Sequence, residues 1–400
     1  MSNSMRSRGM RDILPAEMAR FRRIEDAFRA VCLGWGYLEV RTPTIEHLYL
    51  FTAAGTLSPQ MLDGVYSFLD WDGWSGERVV LRPDSTIPTA RLYAENLAGD
   101  TPAKLFYVQN IFRFQAGDDT REDWQCGVEL IGAKPRLGDV ELIVMAGEVL
   151  SRLGVQTRLK LSDPGILRAI LEQAGLAHAD RIAVYDRILA GDGSALDGLQ
   201  ERLTGAPPLG ETLSMEGDGA AYVNNLRSLL ATAVPGVEAP LDELGAVCEM
   251  LGAIGIEPVV APLLVRDFEY YTGPAFQLFA GDVRVGGGGR YDALVSQIGG
   301  DNVPASGFAL DMEPLLALIG DEADTDASIS IRCDSSGRPA DAFALAVALR
   351  RKDLAVEVDG PAERGRHITV SGDGFLVAVN GSKPQRLGSI DEAIRAVTGG

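Results

Sequence analysis

The chain has 400 residues, 46% of them hydrophobic and 23% charged, the balance of an ordinary globular protein with room for two or three domains. Its 56 acidic residues outweigh 37 lysines and arginines, leaving a net charge of −19 that opposes phosphate neutralisation, so tRNA is not an expected partner. Met1–Arg8 is polar and basic, and no apolar run reaches the ~18–20 residues of a membrane span, so neither a secretory signal nor a membrane is expected.

The first predicted element is a helix that starts at Pro15, a residue suited to the first helical position. It carries Met18, Phe21, Ile24, Phe28 and Val31 on one face before Gly34 and Gly36 end it. Tyr37–Thr42 reads as a strand stopped by Pro43, and strand-like runs recur at Arg78–Arg82, Leu105–Phe114, Trp124–Ile131 and Thr157–Leu161. Before the last of these, Asp139 reads as the N-cap of a helix bearing Val140, Ile143, Val144 and Leu150. From about Pro164 to Ala253 the chain turns Ala/Leu-rich and helical, broken at Pro207-Pro208, Gly217–Gly219 and Pro235-Gly236. Strands resume as a hairpin, Ala275–Phe279 and Val283–Val285 around Gly281-Asp282.

The glycine run Gly286–Gly289 lacks the lysine of a phosphate loop and is read as close packing under a ligand with a tight bend. Past an acidic link at Asp321–Asp326 come a strand (Ser328–Arg332), a helix (Ala340–Lys352) and strands at Leu354–Val358, His367–Val370 and Phe375–Val379. Short turns with few βαβ crossovers favour an α+β fold, an antiparallel sheet flanked by helices. The expected domains are a core of 9–163 with 254–320, a helical insertion at 164–253 and a small α/β unit at 327–400. Cys32, Cys126, Cys248 and Cys333 show no ligand spacing, and His47, His178 and His367 lie far apart. No metal or cofactor is expected, and reduced thiols fit a cytoplasm.

From Arg11 to about Leu318 the motifs resemble those of histidyl-tRNA synthetases, class II enzymes. Gly9–Pro15 and Gly36–Pro43 resemble the family's start and its motif 1, which builds a dimer interface. Leu81–Thr86 resembles its amino-acid loop, and Arg113, Arg121 and Gln125–Gly132 resemble motif 2. Leu264–Gly273 resembles the histidine-specific signature, and Gly286–Val295 with Gly307–Leu315 resembles the motif 3 region. By that resemblance Asp84, Thr86, Arg113, Gln125, Glu129, Arg266, Tyr270, Tyr271 and Tyr291 line a histidine pocket. Their chemistry suits the ligand. Asp84, Thr86, Gln125 and Glu129 are polar partners for an ammonium and an imidazole, Arg113 can meet a carboxylate, and the tyrosines supply aromatic walls.

The nucleotide half departs from the family. Its triphosphate-holding motif 3 arginine is replaced by Pro314, Asp311 stands where the family has glycine, and Gln115 replaces a glutamate. The loop before Arg121 carries Asp118 and Asp119 where synthetases are commonly basic. Arg266 resembles the catalytic arginine, but no catalytic residue is expected here, because a triphosphate needs several cations around it. A histidine pocket without an ATP clamp resembles the regulatory subunits of ATP phosphoribosyltransferase. That resemblance implies a non-catalytic partner of a short catalytic subunit in a hetero-octamer, feedback by L-histidine on the first step of histidine biosynthesis, and a homodimer through motif 1. An active histidyl-tRNA synthetase and a stand-alone histidine sensor are the alternatives.

Overall fold

A computed structural model describes residues 5–54, 64–71, 76–99, 101–113, 120–192, 194–264, 270–320, 329–359, 365–379 and 381–398. Gln115, Asp118 and Asp119, Arg266 and the acidic link at Asp321–Asp326 lie outside the described residues. The chain divides into two compact units, Met1–Gly320 and Asp321–Gly400.

In chain order the strands of the first unit are β1 (Leu38–Glu39), β2 (Ile45–His47), β3 (Ser67–Trp71), β4 (Gly76–Leu81), β5 (Ala103–Phe112) and β6 (Glu122–Ile131). They continue with β7 (Arg158–Ser162), β8 (Gly217–Asp218), β9 (Val259–Val260), β10 (Ala275–Ala280), β11 (Val283–Arg290) and β12 (Ala305–Asp311). Nine of them form one sheet in the order β1-β5-β6-β12-β11-β10-β7-β9-β8, and β2-β4-β3 form a second, smaller one. Pairing in the large sheet is antiparallel except where β1 meets β5 and β7 meets β9.

Alternation along β6 gives the sheet its two faces. Cys126, Val128 and Leu130 point into the main core, beneath the helices Pro15–Gly34 and Leu137–Arg152. Phe28 seats the first helix: its ring meets Phe106 of β5 and Phe308 of β12 edge-on at 5.9 and 6.4 Å. Gln125, Gly127 and Glu129 take the opposite face. The helix Thr86–Asn96 packs on that side through Ile87, Ala90 and Tyr93, beside Ile131 and Tyr291.

The helices of 164–253 share one continuous core with the sheet, and β8 from within that stretch extends its edge. Several local expectations need correction. Only Leu38–Glu39 of the run Tyr37–Thr42 pairs as a strand. Asp139 is not an N-cap: it lies inside Leu137–Arg152 and accepts from the Arg136 backbone N–H at 3.0 Å. Its carboxylate also pairs with Arg290, which reaches Glu243 at 2.9 Å and is 8% exposed in its side chain. Gly286–Gly289 makes no bend but runs straight through β11.

The second unit is a five-stranded sheet, β14 (Val356–Val358), β13 (Ile329–Cys333), β15 (Arg366–Ser371), β16 (Gly374–Val379) and β17 (Gln385–Leu387) in spatial order. Helices Pro339–Arg350 and Ile390–Thr398 contribute Leu345, Leu349, Ile394 and Val397 to its core against Ile329, Ile331, Ile368 and Val370.

Candidate functional site

The open face of the large sheet has almost no side-chain bulk at its centre. Gly127 of β6 lies between Tyr107 of β5 and Ala309 of β12, and Glu129 lies between Leu105 and Gly307. Tyrosines fill the space that the glycines leave. A Cβ on Gly127 would stand 2.2 Å from the Tyr107 ring, and one on Gly307 would stand 2.3 Å from Glu129 Oε2 and from the Tyr291 hydroxyl. Neither position has room for a larger residue.

Glu129 lies at the base of this cluster of side chains and is 2% exposed. The Tyr107 hydroxyl donates to its Oε1 at 3.1 Å, the Tyr291 hydroxyl donates to its Oε2, and the Thr86 side chain is a further hydrogen-bond partner. Burial pushes its carboxyl from the ordinary 4.5 up to about 8; hydrogen bonds from Tyr291 and Thr86 pull the other way, and Asp84 reinforces the rise. Burial, and then the negative charge of Glu129, hold Tyr107 and Tyr291 above the usual tyrosine range, so both remain donors. A carboxyl group in this state gains a proton easily. An incoming cation favours its ionised form.

Aromatic rings wall the pocket. Tyr270 stacks on Tyr291 with centroids 5.0 Å apart and meets Tyr271 edge-on at 5.1 Å. The Tyr271 carbonyl accepts from Arg168 at 3.1 Å, which ties this wall to the helix Pro164–Gln173.

The opposite side is the start of the helix Thr86–Asn96. Asp84 Oδ1 accepts the Ile87 N–H at 2.9 Å, a local helix-start contact, while Oδ2 lies 3.7 Å from Arg113 Nη2. Arg113 also donates from Nε to the Pro83 carbonyl. The structure therefore brings Asp84, Thr86, Arg113, Glu129, Tyr270, Tyr271 and Tyr291 into one cluster on this face. Gln125 shares the face but sits further along β6, opposite Gln109 and Asp311. Tyr107 is the member of this cluster that sequence reasoning missed: nothing in the run Leu105–Phe114 tells which of its side chains turn toward Glu129.

The far end of the same face has different chemistry. Pro314 is the third residue of the helix Met312–Leu318, where its missing N–H leaves no intrahelical bond unmade. Glu313 accepts from Arg11 at 3.2 Å, and Arg284 of β11 donates to Asp311. Arg121 donates to the Tyr66 hydroxyl at 3.1 Å. Arg113 and Arg284 thus each face a carboxylate of the protein itself. Next to the tyrosine wall, cavities of 510 and 410 Å³ lie against the helices of 164–189 and share Arg168, Glu172 and Thr272 as lining. Among the described residues, no group of three or more His, Cys, Asp or Glu could hold a metal ion, and no helix is long and apolar enough to cross a membrane.

Comparisons with known proteins place the chain among described families. The family model described as histidyl-tRNA synthetase matches residues 9–315. An ATP phosphoribosyltransferase regulatory subunit of Dehalococcoides mccartyi is 45% identical over 323 residues, 79% of this chain and 78% of that protein. A histidine–tRNA ligase of Archaeoglobus fulgidus is 30% identical over 366 residues, 88% of this chain and 85% of the ligase. A crystal structure from Bacillus halodurans, described as an ATP phosphoribosyltransferase regulatory subunit/histidyl-tRNA synthetase, superposes with a TM-score of 0.75 at 26% identity and covers 91% of this chain and 95% of its own.

Proposed function

The chain belongs to the family of ATP phosphoribosyltransferase regulatory subunits, built on the histidyl-tRNA synthetase fold, and we propose that it binds free L-histidine and relays that binding to a short catalytic subunit while doing no chemistry itself. The observation that carries this reading is the contrast between the two ends of one sheet face. At one end Glu129 is buried among the hydroxyls of Tyr107, Tyr291 and Thr86. Glu129 and Asp84 suit the ligand's ammonium and imidazole, and Arg113 suits its carboxylate. At the other end Pro314 and the Arg284–Asp311 pair stand where a triphosphate would need uncompensated cations.

The same reading covers the partners. Leu38 of the motif 1 run and Ile45 and Tyr49 just after it are exposed, Tyr49 at 78%, which supports a homodimer through this surface. The catalytic subunit joins in a hetero-octamer, and L-histidine favours one quaternary state with a coupling of ~1–3 kcal/mol. The net charge of −19 supports a partner other than tRNA, and the free cysteines fit work in the cytoplasm.

The test is a pair of measurements on the full chain. Calorimetric titration is expected to show L-histidine binding in wild type and none in Glu129→Ala, while ATP–pyrophosphate exchange with histidine stays at background. Sustained exchange would make the protein an active synthetase. Failure to co-purify with a short phosphoribosyltransferase from the same cell would leave a stand-alone histidine sensor.

A further inference from the structure

We propose that the Arg284–Asp311 ion pair is a length gate: it lets the site take a single amino acid and refuses one whose carboxyl carries an anionic extension, as in an acyl phosphate or acyl adenylate. This rests on the amino-acid-binding reading above and extends the part it gives to the Arg284–Asp311 pair, from leaving no free cation for a triphosphate to selecting the length of the bound amino-acid derivative.

The geometry begins with a strand irregularity. The register of β10 against β11 shifts between Leu278 and Phe279, so that Leu278 faces Gly286 while Phe279 faces Arg284. Val285 is the residue skipped, and it is fully buried in the main core with Phe308 and Leu310. A bulge of this kind re-aims the neighbouring side chain. Arg284 is accordingly turned onto the open face, where its Nη2 lies 3.3 Å from the position a Cβ on Gly287 would occupy.

Gly287 is level with Ala309 of β12, one step along the face from Gly289 and Gly307 beneath the tyrosines. On this strip the Tyr271 ring packs over Gly289, and Gln277 and Arg284 both approach Gly287, so that Arg284 lies across the sheet face beyond the tyrosines. There Arg284 Nη1 meets Asp311 Oδ2 at 2.5 Å, and each side chain is 27% exposed.

This pair closes the groove in two ways. It occupies the floor past the amino-acid end, and Asp311 both neutralises the local cation and repels an incoming anion. The Arg284 Nε is buried without a hydrogen-bond partner, so the guanidinium keeps unused donor capacity. With a neutral side chain at position 311, that capacity becomes available to a phosphate-like group.

The experiment titrates the full chain with L-histidine and with 5′-O-(L-histidylsulfamoyl)adenosine, a non-hydrolysable acyl-adenylate analogue. Wild type is expected to bind L-histidine more tightly than the analogue. Asp311→Asn should bind the analogue about tenfold or more tightly than wild type does, as expected for a released charge-assisted contact. Adding Arg284→Met to Asp311→Asn should cancel the gain. Asp311→Gly is the second variant, and whichever of the two melts with wild type decides the matter. Binding of L-histidine without any gain for the analogue in the folded variant would overturn the gate alone. Absence of L-histidine binding in wild type would overturn the underlying site, and the gate with it.

Discussion

The Tyr291 hydroxyl donates to Oε2 of Glu129 across 162 positions of sequence, and this contact anchors the buried cluster on the open face of the sheet. Tyr291 follows β11, whereas Glu129 belongs to β6, so the contact exists only when β12 lies between them in the sheet. Its energetic worth is testable. Tyr291→Phe removes one donor to the carboxylate form and should weaken L-histidine binding by about 10- to 100-fold, the value of a hydrogen bond to a charged group. Glu129→Gln keeps the shape without the charge and should weaken it at least as much. Calorimetric titration reads both, and an unchanged affinity in either variant would place the ligand elsewhere.

Glu129 also gives the protein a pH dependence. Its carboxyl titrates near 8 when folded against an ordinary 4.5 because burial disfavours its charge. Folding therefore favours the protonated form: this contribution is complete below the unfolded value and is lost as pH rises through the folded one. Chemical denaturation of wild type and Glu129→Gln between pH 5 and 9 should show the variant gaining relative stability with rising pH, on the order of a few kcal/mol across the window. Ligand binding near neutrality should release part of a proton as Glu129 ionises. Calorimetry in buffers of different ionisation enthalpy measures it, and buffer-independent heats would contradict it.

Gly307→Ala tests the close approach of side chains to the strand. The added methyl would stand 2.3 Å from both Glu129 Oε2 and the Tyr291 hydroxyl, so those groups must move. Overpacking of this kind costs about 1–3 kcal/mol, which a folded protein of this size survives. The expected outcome is a modest loss in urea denaturation together with loss of L-histidine binding. Normal binding would show that the pair Glu129–Tyr291 is not the floor.

Asp139→Ala probes the fold and leaves the pocket aside. Arg290 is a nearly buried cation shared between Asp139 and Glu243. Removing Asp139 leaves much of that charge uncompensated and should cost about 3–5 kcal/mol of unfolding free energy. The urea midpoint reports it. Asp139→Asn, which keeps some hydrogen bonding, should cost less.

Much of the fold was legible because its signals are local. Phe21, Ile24, Phe28 and Val31 recur at helical spacing, and the structure buries all four. The strand runs around Leu105–Phe114 and Trp124–Ile131 emerge as β5 and β6 with small shifts at their ends. Motif order alone pointed to Asp84, Thr86, Arg113, Glu129, Tyr270, Tyr271 and Tyr291, since a motif records residue types in sequence whatever separates them in space. The replacement of a cation by Pro314 was equally readable.

Tertiary structure decided what register decides. Tyr107 joins the site because it faces Gly127 across the β5–β6 pair, and its own neighbours in sequence carry no sign of that. Asp139 looked like a helix cap because its local partners fit one, whereas Arg290, 151 positions away, claims its carboxylate. Gly286–Gly289 looked like a bend because glycine permits one, but antiparallel pairing on both sides holds the run straight. A single-residue bulge beside that run turns Arg284 onto the open face toward Asp311. Composition and periodicity could name the parts of this protein, because both act over a few residues. The choice of face and partner belongs to strand register, where a shift of one residue reverses every side chain.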